Sequence, residues 1–388
     1  MPDDIYTKNP IVRRSSEHVL LNAIGGRLES DDLIDKATND VLGHDIDAPL
    51  TNAILPIRVM LGALSGDGDA PPAYKQAVTD DGDKYNLLSS GKPELGKPDI
   101  KIEHGADGKL KISGRARSKS ELRQLTRRTL EKHGVPFAAL DAVAEKVEEH
   151  VPWLHVGIEI TPEALRCIAK MACNLLAYAD RDFFLSTPFD PVRSFVKNGG
   201  NTEQFVAYNT LPVDIGENGR ALGGLDHLVL VKVNHKSGAA EALVVVYRHL
   251  QFLVRLASGN LGRSVKTSYR VDQLDRRQRH DDYQDASLKI PKFEKVATAN
   301  WAIKRDVIHG AMNRILRVVA VRQESLLIKE MVEATWEKVN GPKSGRVITE
   351  AMIERFSEAF AQAYVERLQR IGRLDDVVAD LERRGLLK

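Results

Sequence analysis

The stretch SSEHVLLNAIGGRLESDDLIDKATNDVLGHDID, residues 15–47, decides the fold of the N-terminal part of the chain. Glu17 and His18 stand side by side in it, and the dipeptide Gly25–Gly26 permits a tight return of the backbone. Asn39 follows the Glu-His pair after about twenty residues, which is enough chain for a loop and a short strand to bring it back. The stretch therefore predicts that an acid, an imidazole and an amide meet in space.

The three side chains of this predicted cluster suit one kind of chemistry. A neutral imidazole is the natural base for activating water near pH 7. A carboxylate and an amide oxygen are natural ligands for a hard divalent cation that must also bind a phosphate. Such a cation can hold a phosphate and offset the charge on a leaving oxygen. The pattern thus favours metal-dependent hydrolysis of a phosphate ester.

The local pattern around the cluster predicts short strands followed by a helix. A strand candidate lies at residues 11–14 and a second short apolar stretch at residues 33–34, and an amphipathic helix is expected over residues 38–64. Pro49 and Pro56 are expected to break or reset that helix.

The sequence pattern of this stretch resembles that of the HNH endonuclease family. The resemblance is to the branch that carries Glu-His, Gly-Gly and a Cys-x-x-Cys-Asn before the helix. The resemblance implies a ββα-metal module that hydrolyses phosphodiester bonds of DNA. In it His18 would be the general base, and Glu17 and Asn39 would ligate one divalent cation, Mg²⁺ or Mn²⁺. The residue that orients the base is open between Asp31 and Asp32.

The chain departs from this family where the family binds zinc. Residues 35–38 read Asp-Lys-Ala-Thr and residues 4–7 read Asp-Ile-Tyr-Thr, where the family has Cys-x-x-Cys. No structural zinc is expected, because Asp and Thr cannot replace four sulfurs. Either packing replaces the zinc and catalysis survives, or the module is a decayed one that binds nucleic acid or protein. A part in a host-defence system is an analogy with the family alone.

Arg13, Arg14 and Arg27 flank the Glu-His pair and are the expected contacts to a nucleic-acid backbone. His44 stands five residues after Asn39, about 140° away on a helix, and is expected at the surface or behind the ligands of the site, not as a ligand. The net charge of the chain is only +2, so any basic binding surface must be local.

The chain is long enough for several folded parts, and its fold class is expected to be α+β. Residues 1–65 form the predicted ββα-metal-like module, and residues 66–98 are rich in Gly, Pro, Asp and Ser, as in a linker or long loop. A mixed helix–sheet domain is expected over residues 99–310 and a helical tail over residues 311–388.

Several elements of the mixed domain have clear signals. A hairpin is expected around the turn at residues 106–108, with helices following at 118–133 and 137–150. Residues 163–178 are apolar on nearly every side, as in a buried central helix. Residues 226–257 give three β-rich runs with a turn at residues 236–238.

The composition limits location and partners. Cys167 and Cys173 are expected to be reduced and buried, which together with the absence of a signal-peptide pattern favours the cytoplasm. No apolar run is long enough to cross a membrane. The charged C-terminal helices are typical of a bundle or an interface, either in a homo-oligomer or with a partner protein.

Overall fold

Helix α5 (Pro162–Ala179) is the centre of the larger of two units into which the chain divides. It begins at Pro162 because Thr161 caps it: the Thr161 hydroxyl accepts from the backbone N–H of Ala164 at 3.3 Å. Most of the helix is buried, as its apolar sequence predicts.

The structure is a computed structural model and is of the mixed α+β class, which confirms the class expected from the sequence. It describes residues 1–104, 110–134, 153–216, 224–274, 277–280, 288–299, 301–340, 348–370 and 372–385. The first unit comprises residues 1–74, 87–92 and 157–320, and the second comprises residues 75–86, 93–156 and 321–388. The expected domain over 99–310 is therefore divided between the two units.

A six-stranded antiparallel sheet packs against α5, with the strand order β13-β12-β9-β10-β11-β8. Its strands are β8 (Val206–Tyr208), β9 (Asp226–Asn234), β10 (Ala239–Val246), β11 (Leu250–Ser258), β12 (Val265–Asp272) and β13 (Arg277–His280). The three β-rich runs and the turn at 236–238 are confirmed as β9, β10 and β11.

Both faces of this sheet are covered, which explains why its strands read as continuous apolar runs. One face, with Val229, Val244 and Phe252, belongs to the same core as α5. The other face, with Leu230 and Leu243, packs with the short helix α8 (Phe293–Ala297). Helices α6 (Arg181–Phe184) and α7 (Asp190–Asn198) also belong to this unit.

The N-terminal part of the first unit has the order strand, strand, helix. Strands β1 (Glu17–His18) and β2 (Glu29–Ser30) pair antiparallel, and α1 (Lys36–Leu42) follows. The strand expected at residues 11–14 does not form: Arg14 makes only an isolated bridge with Asp35, and the apolar stretch at residues 33–34 is buried just before α1. The N–H groups of residues 12 and 13 donate to the Asp35 carboxylate instead of to a strand.

The helix expected over 38–64 is a series of shorter helices. It begins at Lys36, because Asp35 caps it by accepting from the N–H of Ala37 at 2.9 Å. After α1 come a π-helical turn (Gly43–Asp47), α2 (Ala48–Ala53) and α3 (Leu55–Leu61). Pro49 and Pro56 lie in the first turns of α2 and α3, so the reset at these prolines is confirmed.

Two aspartates join the segments at residues 4–7 and 35–38. Asp4 is fully buried, and its Oδ1 accepts from the N–H groups of Tyr6 and Thr7 at 2.8 and 2.9 Å. Its Oδ2 accepts from the N–H of Asp35 at 2.9 Å, while Asp35 accepts from the backbone of residues 12–13. Carboxylate hydrogen bonds thus cross-link the two segments, residues 4–7 and 35–38.

The second unit holds a small sheet, a hairpin and helices. The segment 66–98 contains β3 (Tyr74–Val78), β4 (Lys84–Leu87) and β5 (Pro93–Leu95), so it is not a structureless linker. The hairpin strands β6 (Asp99–His104) and β7 (Leu110–Arg115) pair antiparallel, and α4 (Lys119–Lys132) is capped by Ser118. The turn expected at 106–108 and the helix expected over 137–150 lie outside the described residues.

The C-terminal part of the chain is helical, as expected. It consists of α9 (Trp301–Asn340), α10 (Glu350–Arg370) and α11 (Leu374–Arg383). Within the described ranges, no helix combines the length and apolarity that a membrane span requires.

Candidate functional site

The hairpin of β1 and β2 positions the Glu-His pair in the first unit. Glu17 lies opposite Ser30 and His18 lies opposite Glu29. The return between the strands uses Gly25 at φ +88° and Gly26, where an added Cβ would lie 1.7 Å from the carbonyl oxygen of Leu20. The two glycines singled out in the sequence are therefore required by the turn itself.

Glu17, His18 and Asn39 all line one cavity of about 430 Å³. Asp47, Arg58 and Asp69 line the same cavity. The structure thus brings together the three side chains that the sequence predicted would meet, although they come from a strand and a separate helix.

Asn39 has a fixed orientation in this cavity. Its Nδ2 donates to the hydroxyl of Ser15 at 2.8 Å and to the carbonyl oxygen of Ser16 at 3.2 Å. Because the amide nitrogen is used in these two bonds, the Oδ1 atom is the end left to act as an acceptor or a ligand.

His18 is held as a neutral imidazole. Its side chain is 21% exposed, and burial lowers its pKa from the ordinary value, against an opposing effect of Glu29. The Glu29 carboxylate lies 3.4 Å from Nε2, which favours the proton on that nitrogen and leaves the lone pair on Nδ1.

The residue that faces His18 is therefore Glu29, and neither Asp31 nor Asp32 takes that place. Both aspartates are exposed, and Asp32 instead pairs with Arg14 at 3.3 Å. The register of the hairpin in the structure identifies Glu29, because it places Glu29 directly across from His18.

A buried lysine from α5 joins the Glu17 carboxylate to Asp47. The Nζ atom of Lys170 lies 2.7 Å from Glu17 Oε1 and 2.6 Å from Asp47 Oδ2, and only 1% of its side chain is exposed. Asn174, one turn further along α5, donates from Nδ2 to Glu17 Oε1 at 2.6 Å and to the carbonyl oxygen of His18 at 3.1 Å. Helix α5 thus holds β1 in place through polar contacts.

The charges of this buried cluster do not cancel. Burial raises the pKa of Glu17, although Lys170 partly opposes the shift. Burial alone would lower the pKa of Lys170, but the carboxylates of Asp47 and Glu17 outweigh that effect and raise it, so the ammonium stays charged. Two carboxylates share one ammonium, and with both ionised the cluster carries one negative charge in excess.

The cavity offers oxygen atoms, which are the type of ligand that a hard divalent cation prefers. Glu17 Oε1 receives the bonds from Lys170 and Asn174, whereas Oε2 receives none from the described residues. With Asn39 Oδ1 this gives two protein oxygens, and a Mg²⁺-like ion commonly keeps water and phosphate oxygens as its remaining ligands. Within the described part of the chain, no group of three or more His, Cys, Asp or Glu side chains is arranged to hold a metal.

The three arginines expected to contact a nucleic-acid backbone are exposed but do not line the cavity. Arg14 pairs with Asp32, and the Nε of Arg27 donates to the carbonyl oxygen of Gly66 at 3.0 Å. They remain candidates for contacts outside the cavity. His44 is exposed, as expected.

Asp47, Lys170 and Arg58 were not singled out by the sequence analysis. Asp47 lies at the end of a π-helical turn, so the face of the helix on which it lies cannot be found from α-helical spacing. Lys170 did carry a signal, because a lysine in the middle of an almost wholly apolar helix needs a buried partner.

Comparisons with protein-family models, with curated proteins and with solved structures gave no match to this chain.

Proposed function

We propose that this protein is a metal-dependent nuclease that hydrolyses phosphodiester bonds of DNA, with His18 as the general base. The observation that carries the proposal is that the adjacent Glu17 and His18 line one cavity together with Asn39, which lies about twenty residues further along the chain. The resemblance to the HNH family supports the assignment to DNA, and the buried, free thiols of Cys167 and Cys173 support an action in the cytoplasm.

The roles of the residues follow from their surroundings. His18 accepts a proton from water on Nδ1, while Glu29 keeps the Nε2 proton in place and stabilises the imidazolium that forms. Glu17 and Asn39 would hold a Mg²⁺ or Mn²⁺ ion, which supplies stabilisation of charge on the phosphate and on the leaving oxygen. Ser15 fixes the amide of Asn39 so that Oδ1 is presented.

The test is cleavage of plasmid DNA in Mg²⁺ or Mn²⁺ by the purified protein and by His18→Ala. Loss of the base is expected to lower the rate by about 10²–10⁴-fold. The rate should also fall as the pH decreases through the pKa of His18, which lies below its ordinary value, so the acidic limb lies below about pH 6.5.

The matched control is His44→Ala, because His44 is exposed and does not line the cavity. It should cleave at the wild-type rate. Equal cleavage by the wild-type protein and His18→Ala would show that His18 is not the base.

A second candidate is an adaptor, a catalytically decayed module that binds nucleic acid or protein as a subunit of a host-defence system. The observation in its favour is Lys170, whose ammonium already neutralises part of the carboxylate charge that a metal would need. Titration with Mn²⁺ separates the two candidates. Heat of binding that is lost in Glu17→Gln supports the nuclease, and no binding by the wild-type protein supports the adaptor.

A further inference from the structure

Arg58, on α3, is buried in the wall of the cavity and forms no ion pair with a residue that the structure describes. Only 4% of the residue is exposed, and it lines the cavity together with Glu17, His18 and Asn39. Its Nε atom is buried and has no hydrogen-bond partner. In the described part of the chain no carboxylate forms an ion pair with its guanidinium.

Arg193, another deeply buried arginine of this unit, forms the hydrogen bonds that a buried guanidinium normally makes. Arg193 is 2% exposed and donates to the carbonyl oxygens of Phe184 and Ser186 and to the carboxylate of Asp190. Arginine is among the residues least often buried without partners, because removing its charge from water costs several kcal/mol. Arg58 is therefore placed at an energetic cost that Arg193 does not carry.

The groups near Arg58 do not offset its charge. Tyr247 and His227 act on it electrostatically, but both are neutral near pH 7: burial raises the pKa of Tyr247 and lowers that of His227 to about 4. The carboxylates that line the cavity are Glu17 and Asp47, which Lys170 holds, and the exposed Asp69. The position suits an anion that enters the cavity from solution.

We propose that Arg58 binds the phosphate of a nucleic-acid strand and holds it in the cavity that contains His18. The inference rests on the proposed function for the identity of the anion, but not for its binding. A guanidinium matches two phosphate oxygens with parallel N–H donors, so phosphate is one of the anions that arginine binds in a bidentate manner. Binding at Arg58 needs no divalent cation, because the positive charge is part of the chain.

The test measures binding and not cleavage, so it is independent of catalysis. In EDTA, the melting temperature of the full-length protein is followed with inorganic phosphate and with chloride at equal ionic strength. Binding of a short DNA duplex is followed by fluorescence anisotropy in the same buffer. Phosphate should raise the melting temperature of the wild-type protein, and Arg58→Met should remove that rise and weaken duplex binding by about tenfold or more.

Stability in chloride separates binding from a structural role. Arg58→Met should be at least as stable as the wild-type protein there, because it removes an unpaired buried charge, whereas Arg193→Met should be less stable. Arg58→Lys keeps the charge but loses the planar donor pair, and it should bind phosphate with intermediate strength.

Several results would overturn the proposal. One is a wild-type protein whose melting temperature does not respond to phosphate, and another is an equal response in Arg58→Met. If the protein binds phosphate but Arg58→Met does not weaken duplex binding, the assignment of the anion to nucleic acid is wrong. Absence of cleavage, by contrast, would count against the proposed nuclease alone.

Discussion

At the scale of single residues, Lys170 determines the charge balance of the cavity. Its ammonium is the one group of α5 that pairs with both Glu17 and Asp47, and the three side chains are substantially buried. A carboxylate that loses its buried counter-charge is costly, even where the intact pair adds little net stability. Lys170 therefore opposes the rise in the pKa of Glu17 that burial causes.

Lys170→Met should destabilise the protein by about 3–5 kcal/mol at pH 7, because two buried carboxylates lose their cation. Without Lys170 the pKa of Glu17 rises further above its unfolded value. The deficit relative to the wild-type protein should then be smallest below about pH 4 and grow as the pH rises through the raised pKa. Urea unfolding at a series of pH values measures this difference.

Lys36→Met is the control for Lys170→Met, because Lys36 pairs with Asp40 at the surface and should matter little. If Mn²⁺ restores stability to Lys170→Met more than to the wild-type protein, the cavity accepts a cation where the ammonium was. A deficit that does not change with pH would contradict the counter-charge role.

At the scale of elements, the turn between β1 and β2 and the π-helical turn after α1 set the geometry of the site. The first allows the Glu-His pair to lie at the cavity, and the second brings Asp47 to Lys170. Gly26 makes the closest backbone approach in the hairpin, whereas Gly43 begins the π-helical turn with no atom within 4 Å of an added Cβ.

Gly26→Ala should destabilise the protein by more than about 3 kcal/mol, because the backbone of the turn must move to relieve the contact with Leu20. Gly43→Ala is the same substitution at an open helical position and should change stability by no more than about 1 kcal/mol, in the stabilising direction. Urea midpoints followed by circular dichroism compare the two variants. Equal midpoints would show that the turn tolerates a side chain.

At the scale of the whole molecule, the N-terminal hairpin is anchored by other parts of the first unit. Residues of the N-terminal part, such as Leu20 and Ile24, belong to the same core as α5 and the sheet. The hydroxyl of Tyr269 on β12 accepts from the N–H groups of Arg27 and Leu28 at 3.0 and 3.1 Å. The hairpin is thus held by distant parts of its own unit.

A fragment of residues 1–68 should be unfolded when produced alone, with or without Zn²⁺, because its apolar residues lose the core that buries them. Amide dispersion in a two-dimensional NMR spectrum reports this. In the intact chain, Tyr269→Phe should cost about 1–3 kcal/mol, because two N–H groups lose their acceptor. A fragment with a dispersed spectrum would show that the module folds independently.

The sequence predicted part of the site, and the reason for the remainder is physical. Glu17, His18 and Asn39 could be proposed because their types and spacing form a pattern along the chain. Glu29 was missed because two short strands leave their register ambiguous until both are placed. Arg58 was missed because the sequence does not show that it is buried or that its Nε atom has no hydrogen-bond partner. Both facts require the positions of its neighbours.

The sequence by itself determined the α+β class, the central helix, the three long strands and the acid–imidazole–amide set. These depend on periodicity, capping and turn chemistry, which act between residues close along the chain. Only the tertiary structure decided the charge of the cavity: it paired Lys170 with Glu17 and Asp47, and it left Arg58 without an ion pair among the described residues. Burial and ion pairing join residues more than a hundred positions apart, and no local pattern records them.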